Sequence, residues 1–129
     1  MEPWLDDLRQ QVLHGKAVLV SVRKPSPYQP LIDWAMDREL FVYIGDVVRF
    51  TPYRRSIWHN PHRPGRLHPD DPGRTIDREE SVRLYRRRFE VSPDLQESIR
   101  LLRGKVLGCW CAPRACHGDV LIEAANVGR

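Results

Sequence analysis

The chain has 129 residues, with 41% hydrophobic and 29% charged residues and a formal net charge of +4. That length builds one core and one principal site, not two domains. No apolar stretch approaches the roughly 20 residues that cross a bilayer, and the acidic start, Met1 to Asp7, lacks the basic and apolar regions of a secretory signal, so a soluble cytoplasmic protein with no membrane partner is expected.

Leu5, Leu8 and Val12 recur at helical spacing within residues 3 to 14, and Gly15 ends the pattern. Residues 1–16 therefore read as an N-terminal helix packing on the core, and 17–129 as a single α/β domain. Ala17 to Val22 is apolar without alternation, the pattern of a buried parallel strand. Pro25, Pro27 and Pro30 interrupt the chain before a short helix over 31–38 and a second strand over 39–44, which Gly45 ends.

Residues 46–77 form a long loop, rich in proline and with little periodicity. Loops of that length inside a small domain are commonly functional or disordered, and the embedded Trp58 and Asn60 favour function. Trp58 has a second reading as a plug at the edge of the core. Asp77 and Glu80 have capping-box spacing for a helix running to about Glu90, and Pro93 opens another that runs to about Leu102. Residues 105–111 form the last strand, and a C-terminal helix follows over 119–127. Strands alternating with helices predict an α/β fold, a small three-layer domain with a mainly parallel sheet of three to five strands.

All three cysteines lie within eight positions, in Cys109-Trp110-Cys111 and Cys116-His117-Gly118-Asp119. An odd number in one motif is no disulfide framework and fits a reducing compartment. Cys109 and Cys111 share one strand face and Trp110 takes the other. Cys116 begins a helix, where the dipole lowers a thiol's pKa; His117 can act as acid or base; Gly118 permits close ligand approach; Asp119 suits the first helical turn. Together Cys109, Cys111, Cys116 and His117 also form an alternative zinc set, although the spacing is not that of paired knuckles.

The carboxyl ends of parallel strands are where ligands bind in open α/β sheets. The expected site therefore gathers Arg23, Lys24, Gly45, Asp46, Asn60, Cys116, His117 and Gly118, with Trp58 available to stack a base and Asp119 in the first helical turn. Cys116, His117 and Asp46 are the expected catalytic groups, the last to stabilise a sugar cation. Such a set suits a nucleotide, nucleoside or ribosyl phosphate, and a hydrolase or transferase acting on its N-glycosidic or phosphate part. No cofactor is required by this reading. The chain has neither a Walker loop nor a dinucleotide fingerprint.

A different class of function follows from the arginines. Arg49 to Arg66 contains five arginines and no acid, while Arg83, Arg86, Arg87 and Arg88 share one helix. That pattern suits either a solvated face or a nucleic-acid-binding module. A zinc-stabilised interaction domain is the third alternative.

The run Gly104-Lys105-Val106-Leu107 to Asp119-Val120-Leu121 resembles the closing block of a bacterial and phage family, domain of unknown function 4326, in which Cys-Trp-Cys-x-Pro-x-x-Cys-His-Gly-Asp is the core. Phe41 to Gly45, Ser56 to Pro61 and Arg78 to Tyr85 are similar to three further blocks of that family. His59 stands where the family has glycine, and Asp46 where members often carry a basic residue. The resemblance implies a fold and a pocket but no activity.

Overall fold

The computed structural model describes residues 1–112 and 114–127. In chain order the elements are α1 (Pro3–Leu13), β1 (Val18–Ser21), α2 (Gln29–Asp37), β2 (Phe41–Tyr43), β3 (Leu67–His68), β4 (Asp71–Thr75), α3 (Arg78–Val91), α4 (Pro93–Ser98), a 3-10 turn over Ile99–Leu102, β5 (Val106–Cys109) and α5 (His117–Asn126). Proline interrupts none of these helices. Pro3, Pro30 and Pro93 each sit in the first turn of α1, α2 and α4, where the missing N–H has no intrahelical partner to lose.

The main sheet has the order β1-β5-β2, all parallel, with β5 in the centre. Every residue of β5 is buried, which explains its lack of polar alternation. On one face, Val18, Val20, Val22 and Val106 pack with Leu5 and Val12 of α1 and Leu31, Ile32 and Ala35 of α2. On the other, Leu107, Cys109 and Ile44 pack with Tyr85 and Phe89 of α3 and Val120, Leu121 and Ala125 of α5. The result is three layers on a three-stranded parallel sheet. Asn126 ties the end of α5 to the start of β1, accepting from the Ala17 N–H at 2.8 Å and donating to the Ala17 carbonyl at 3.0 Å.

Asp77 caps α3 by accepting from the Glu80 N–H at 2.8 Å, while the Glu80 carboxylate accepts from the Asp77 N–H, completing the capping box. The segment 46–77 differs from its reading as one loop. Its last third folds into the antiparallel hairpin β3–β4, whose residues are exposed or half-buried and whose register is irregular. The hairpin contains Pro69, Pro72 and Gly73 and has no buried face, so no period-2 pattern marks it in the sequence. Among the described residues no helix is long and apolar enough to cross a membrane.

Candidate functional site

A cleft of about 520 Å³ opens where the chain leaves β2 and β5, with the start of α5 as its third side. This is the crevice beyond the carboxyl ends of parallel strands. β2 delivers Gly45 and Asp46, β5 delivers Cys109, Trp110 and Cys111, and α5 delivers Cys116 and His117. The long loop folds over the opening and contributes Asn60, Arg63 and Arg66, and the first turn of α3 contributes Arg78.

Strand alternation separates Trp110 from its neighbouring thiols. Its indole N–H donates to the Tyr43 hydroxyl at 2.8 Å, and that hydroxyl donates to the Asp46 carbonyl at 2.5 Å. Tyr43 also stacks on Tyr53 at 4.8 Å. This chain of contacts holds the turn after β2, so the Asp46 backbone is fixed from within the core. The Asp46 carboxylate accepts from Arg55 at 2.7 Å and lies 3.5 Å from Arg63. Burial pushes its pKa up, but the Val47 amide and both guanidinium groups outweigh this and hold it below the ordinary carboxylate range.

Cys116 is the N-cap of α5. Its sulfur accepts from the Gly118 N–H at 3.3 Å, and Asp119 closes the reciprocal bond by accepting from the Cys116 N–H at 3.1 Å. The Cys116 and Gly118 amides at this helix start are thus engaged by the helix's own cap. Gly118 faces the core: a Cβ there would stand 2.7 Å from Leu19 Cδ1 and 3.0 Å from Ile44 Cδ1. It serves close packing between α5 and the sheet, in place of the ligand approach expected of it.

His117 is buried, and its Nε2–H donates to the Ile44 carbonyl at 2.6 Å. Burial pushes its pKa down to about 4. A neutral ring tied to the backbone and packed 4.8 Å from Tyr85 holds α5 to the end of β2 and is poorly suited to shuttling protons. Trp58 is also a core residue. It lies in the cluster beneath α3 and α5, its carbonyl accepts from the Tyr85 hydroxyl at 2.9 Å, and it is absent from the cleft wall. Arg23 and Lys24 are exposed beyond β1 and do not line the cleft. Asn60 does: it donates to Ser81 at 2.8 Å and accepts from the His62 N–H at 2.8 Å.

The three thiols gather on one wall. The sulfurs of Cys109 and Cys116 are 3.7 Å apart. Cys111, half-buried, has its pKa lowered to about 5 by hydrogen bonding from Cys116, against the effect of burial and with help from Arg78 and Arg114. Cys116 moves upward, because it is the proton donor to both neighbours and is itself buried. Cys116 lowers Cys109 in the same way, so the lowered thiols are Cys109 and Cys111, whereas the sequence places the lowered thiol at Cys116. With the His117 Nε2 turned to Ile44, the zinc set does not converge; among the described residues no three His, Cys, Asp or Glu side chains stand ready to hold a metal.

Arg66 and Arg78, absent from the expected site, add positive charge to the cleft. Neither has a carboxylate partner among the described residues, and Arg78 donates to the Ala115 carbonyl at 3.2 Å while facing the Cys111 sulfur. Arg66 was legible as part of the acid-free arginine run, whereas nothing near Arg78 distinguishes it from other helix-start charges. Further along α3, Arg83, Arg86 and Arg87 pair with Glu79, Glu123 and Asp70. His59, where glycine was the pattern, has no left-handed backbone; its ring nitrogen Nδ1 bonds with the Ser56 carbonyl at 2.8 Å.

The family model for a domain of unknown function, DUF4326, matches residues 34–127, which includes every residue of the cleft wall. A protein of Enterobacteria phage T4, an uncharacterized 12.4 kDa protein in the nrdA-td intergenic region, is 34% identical over 53 residues, covering 38% of this chain and 49% of its own length. The chain thus spans about half the length of that curated relative. No solved structure matches the chain. With strand β2, the Asn60 loop, α3 and the Cys-His helix start all inside the matched region, the chain belongs to the DUF4326 family.

Proposed function

We propose that this protein binds a small phosphorylated ligand, of nucleotide or ribosyl-phosphate size, in the cleft beyond β2 and β5. The observation that carries this reading is the pairing of a cavity of about 520 Å³ with two arginines, Arg66 and Arg78, that have no carboxylate partner among the described residues. Cavities of that volume are ordinary for small-molecule sites, and a guanidinium fork matches a phosphate better than any other common anion except a carboxylate. Trp110 gives the cleft an aromatic side suited to a base or sugar ring.

Of the three groups expected to act on such a ligand, Asp46 alone faces the cleft as a stable charge, and its oxygens are engaged by Arg55 and Arg63. The geometry thus supports recognition ahead of proton transfer. Three unlinked thiols suit a reducing compartment, and we place the protein in the cytoplasm on that ground. Native mass spectrometry with nucleoside monophosphates, nucleosides and pentose phosphates tests the reading. Retention of the phosphorylated members alone is expected; equal retention of nucleosides, or no retention of any member, would refute it.

A further inference from the structure

Two of the thiols stand in direct contact, in an arrangement that ligand binding does not use. The sulfurs of Cys109 and Cys116 are 3.7 Å apart, and the backbone fixes both sides of that contact. Cys109 is the last residue of β5, in register with Ser21 of β1, and its carbonyl accepts from the Val22 N–H at 2.8 Å. Cys116 is the N-cap of α5, its own N–H held by Asp119. Each sulfur also meets a backbone donor: the Ala112 N–H lies 3.4 Å from the Cys109 sulfur and the Gly118 N–H 3.3 Å from that of Cys116. Donors so placed stabilise a thiolate on either sulfur. Both residues line the cleft, yet they are only 1% and 5% exposed, which favours an oxidant of a few atoms over a second protein.

We propose that Cys109 and Cys116 form a redox-active dithiol, which reduces a small hydroperoxide and closes to an intramolecular disulfide. In the first step the sulfur of one partner attacks one peroxide oxygen. An S–O bond forms, the O–O bond breaks, and the other oxygen leaves as alcohol or water with the proton of the attacking thiol. In the second step the sulfur of the other partner attacks the sulfenic sulfur. An S–S bond forms, the S–O bond breaks, and the oxygen leaves as water with the proton of the second thiol. Two electrons pass from the two thiols to the peroxide.

The choice of partners follows from the contact. A disulfide is about 2.0 Å long, so the two sulfurs have about 1.7 Å to close. Cys109 ends its strand and Cys116 precedes the first turn of its helix, so the closure falls on side-chain torsions and on the segment between them, outside both ladders. That segment spans seven positions and brings Trp110, Cys111 and Ala115 to the cleft wall. Oxidation therefore closes this part of the wall into a ring fastened to β5 and to the cap of α5. Disulfides of this kind in a reducing compartment are transient and chemical in role, unlike the permanent staples of secreted domains.

The test uses the full chain and hydrogen peroxide, with free thiols then blocked by iodoacetamide and the products read by intact mass and peptide mapping. We expect loss of two hydrogens, a Cys109–Cys116 link with Cys111 alkylated in the same molecules, and reversal by a dithiol reductant. Cys111→Ser, which retains both partners, should give the same link in the same yield. Cys116→Ser, which keeps a hydroxyl at the N-cap, should lose the link and accumulate a sulfenic acid at Cys109 that a 1,3-dione probe traps. A link that includes Cys111, or oxidation of the parent and of Cys111→Ser that stops at single thiols without any link, would overturn the proposal, as would a chain that peroxide leaves unchanged. The parent and Cys111→Ser decide the matter even if Cys116→Ser fails to fold. No phosphorylated ligand enters these assays, so their failure leaves the phosphate reading untouched.

Discussion

The Nε2–H of His117 donates to the carbonyl oxygen of Ile44 across 2.6 Å, joining the first residue of α5 to the chain leaving β2. The two cleft walls are thereby held by one buried bond. Its pH dependence has a defined sign. The folded ring titrates at about 4, below the unfolded value of 6.5, so the unfolded chain takes up the proton first. The stabilisation is fully present above about pH 6.5 and is lost as pH falls toward 4, a change on the order of 3 kcal/mol. Denaturant unfolding of the parent and of His117→Gln across this range is expected to show a steeper decline in the parent, the variant keeping the smaller contribution of His62, whose pKa burial also lowers.

Tyr85 makes the second bond that joins the layers, donating from its buried hydroxyl to the Trp58 carbonyl. Tyr85→Phe removes the donor but keeps the ring, leaving the carbonyl unpaired. Unfolding free energy should fall by about 1–2 kcal/mol, measured by urea titration at neutral pH. A change within experimental error would show that the Trp58 segment is not anchored through this bond.

Gly118 separates packing from ligand approach. Gly118→Ala would place its Cβ against Leu19 and Ile44, and the expected loss is about 1–3 kcal/mol of stability. Ligand affinity of the folded fraction should be unchanged, because Gly118 does not line the cleft. Thermal unfolding and equilibrium binding on the same preparation check both statements.

Much of the fold was legible because its signals are local. The apolar runs of β1 and β5, the Asp77–Glu80 box and the start of α5 each announce themselves within a few residues. The hairpin β3–β4 was not, since an exposed ribbon interrupted by prolines has no apolar alternation to read. At the site, Gly45, Asp46, Asn60, Cys116 and His117 were placed on the cleft by strand-end logic. Arg23 and Lys24 follow the same logic yet stand away from it, beyond β1, because the order β1-β5-β2 puts β1 on the other side of β5 from β2. Which arginines stay unpaired depends on where Asp46, Asp70 and Glu123 fall in space, and no spacing rule reports that.

Phosphate binding in the cleft rests on Arg66 and Arg78. Calorimetric titration with a nucleoside monophosphate and its parent nucleoside, on the native chain and on Arg66→Ala with Arg78→Ala, tests it most directly. A charge-assisted bond to phosphate contributes about 1.5–3 kcal/mol, so affinity for the phosphorylated ligand should fall at least about tenfold in the double variant while its folded state is retained. Equal affinity of the parent and the double variant for that ligand would contradict it.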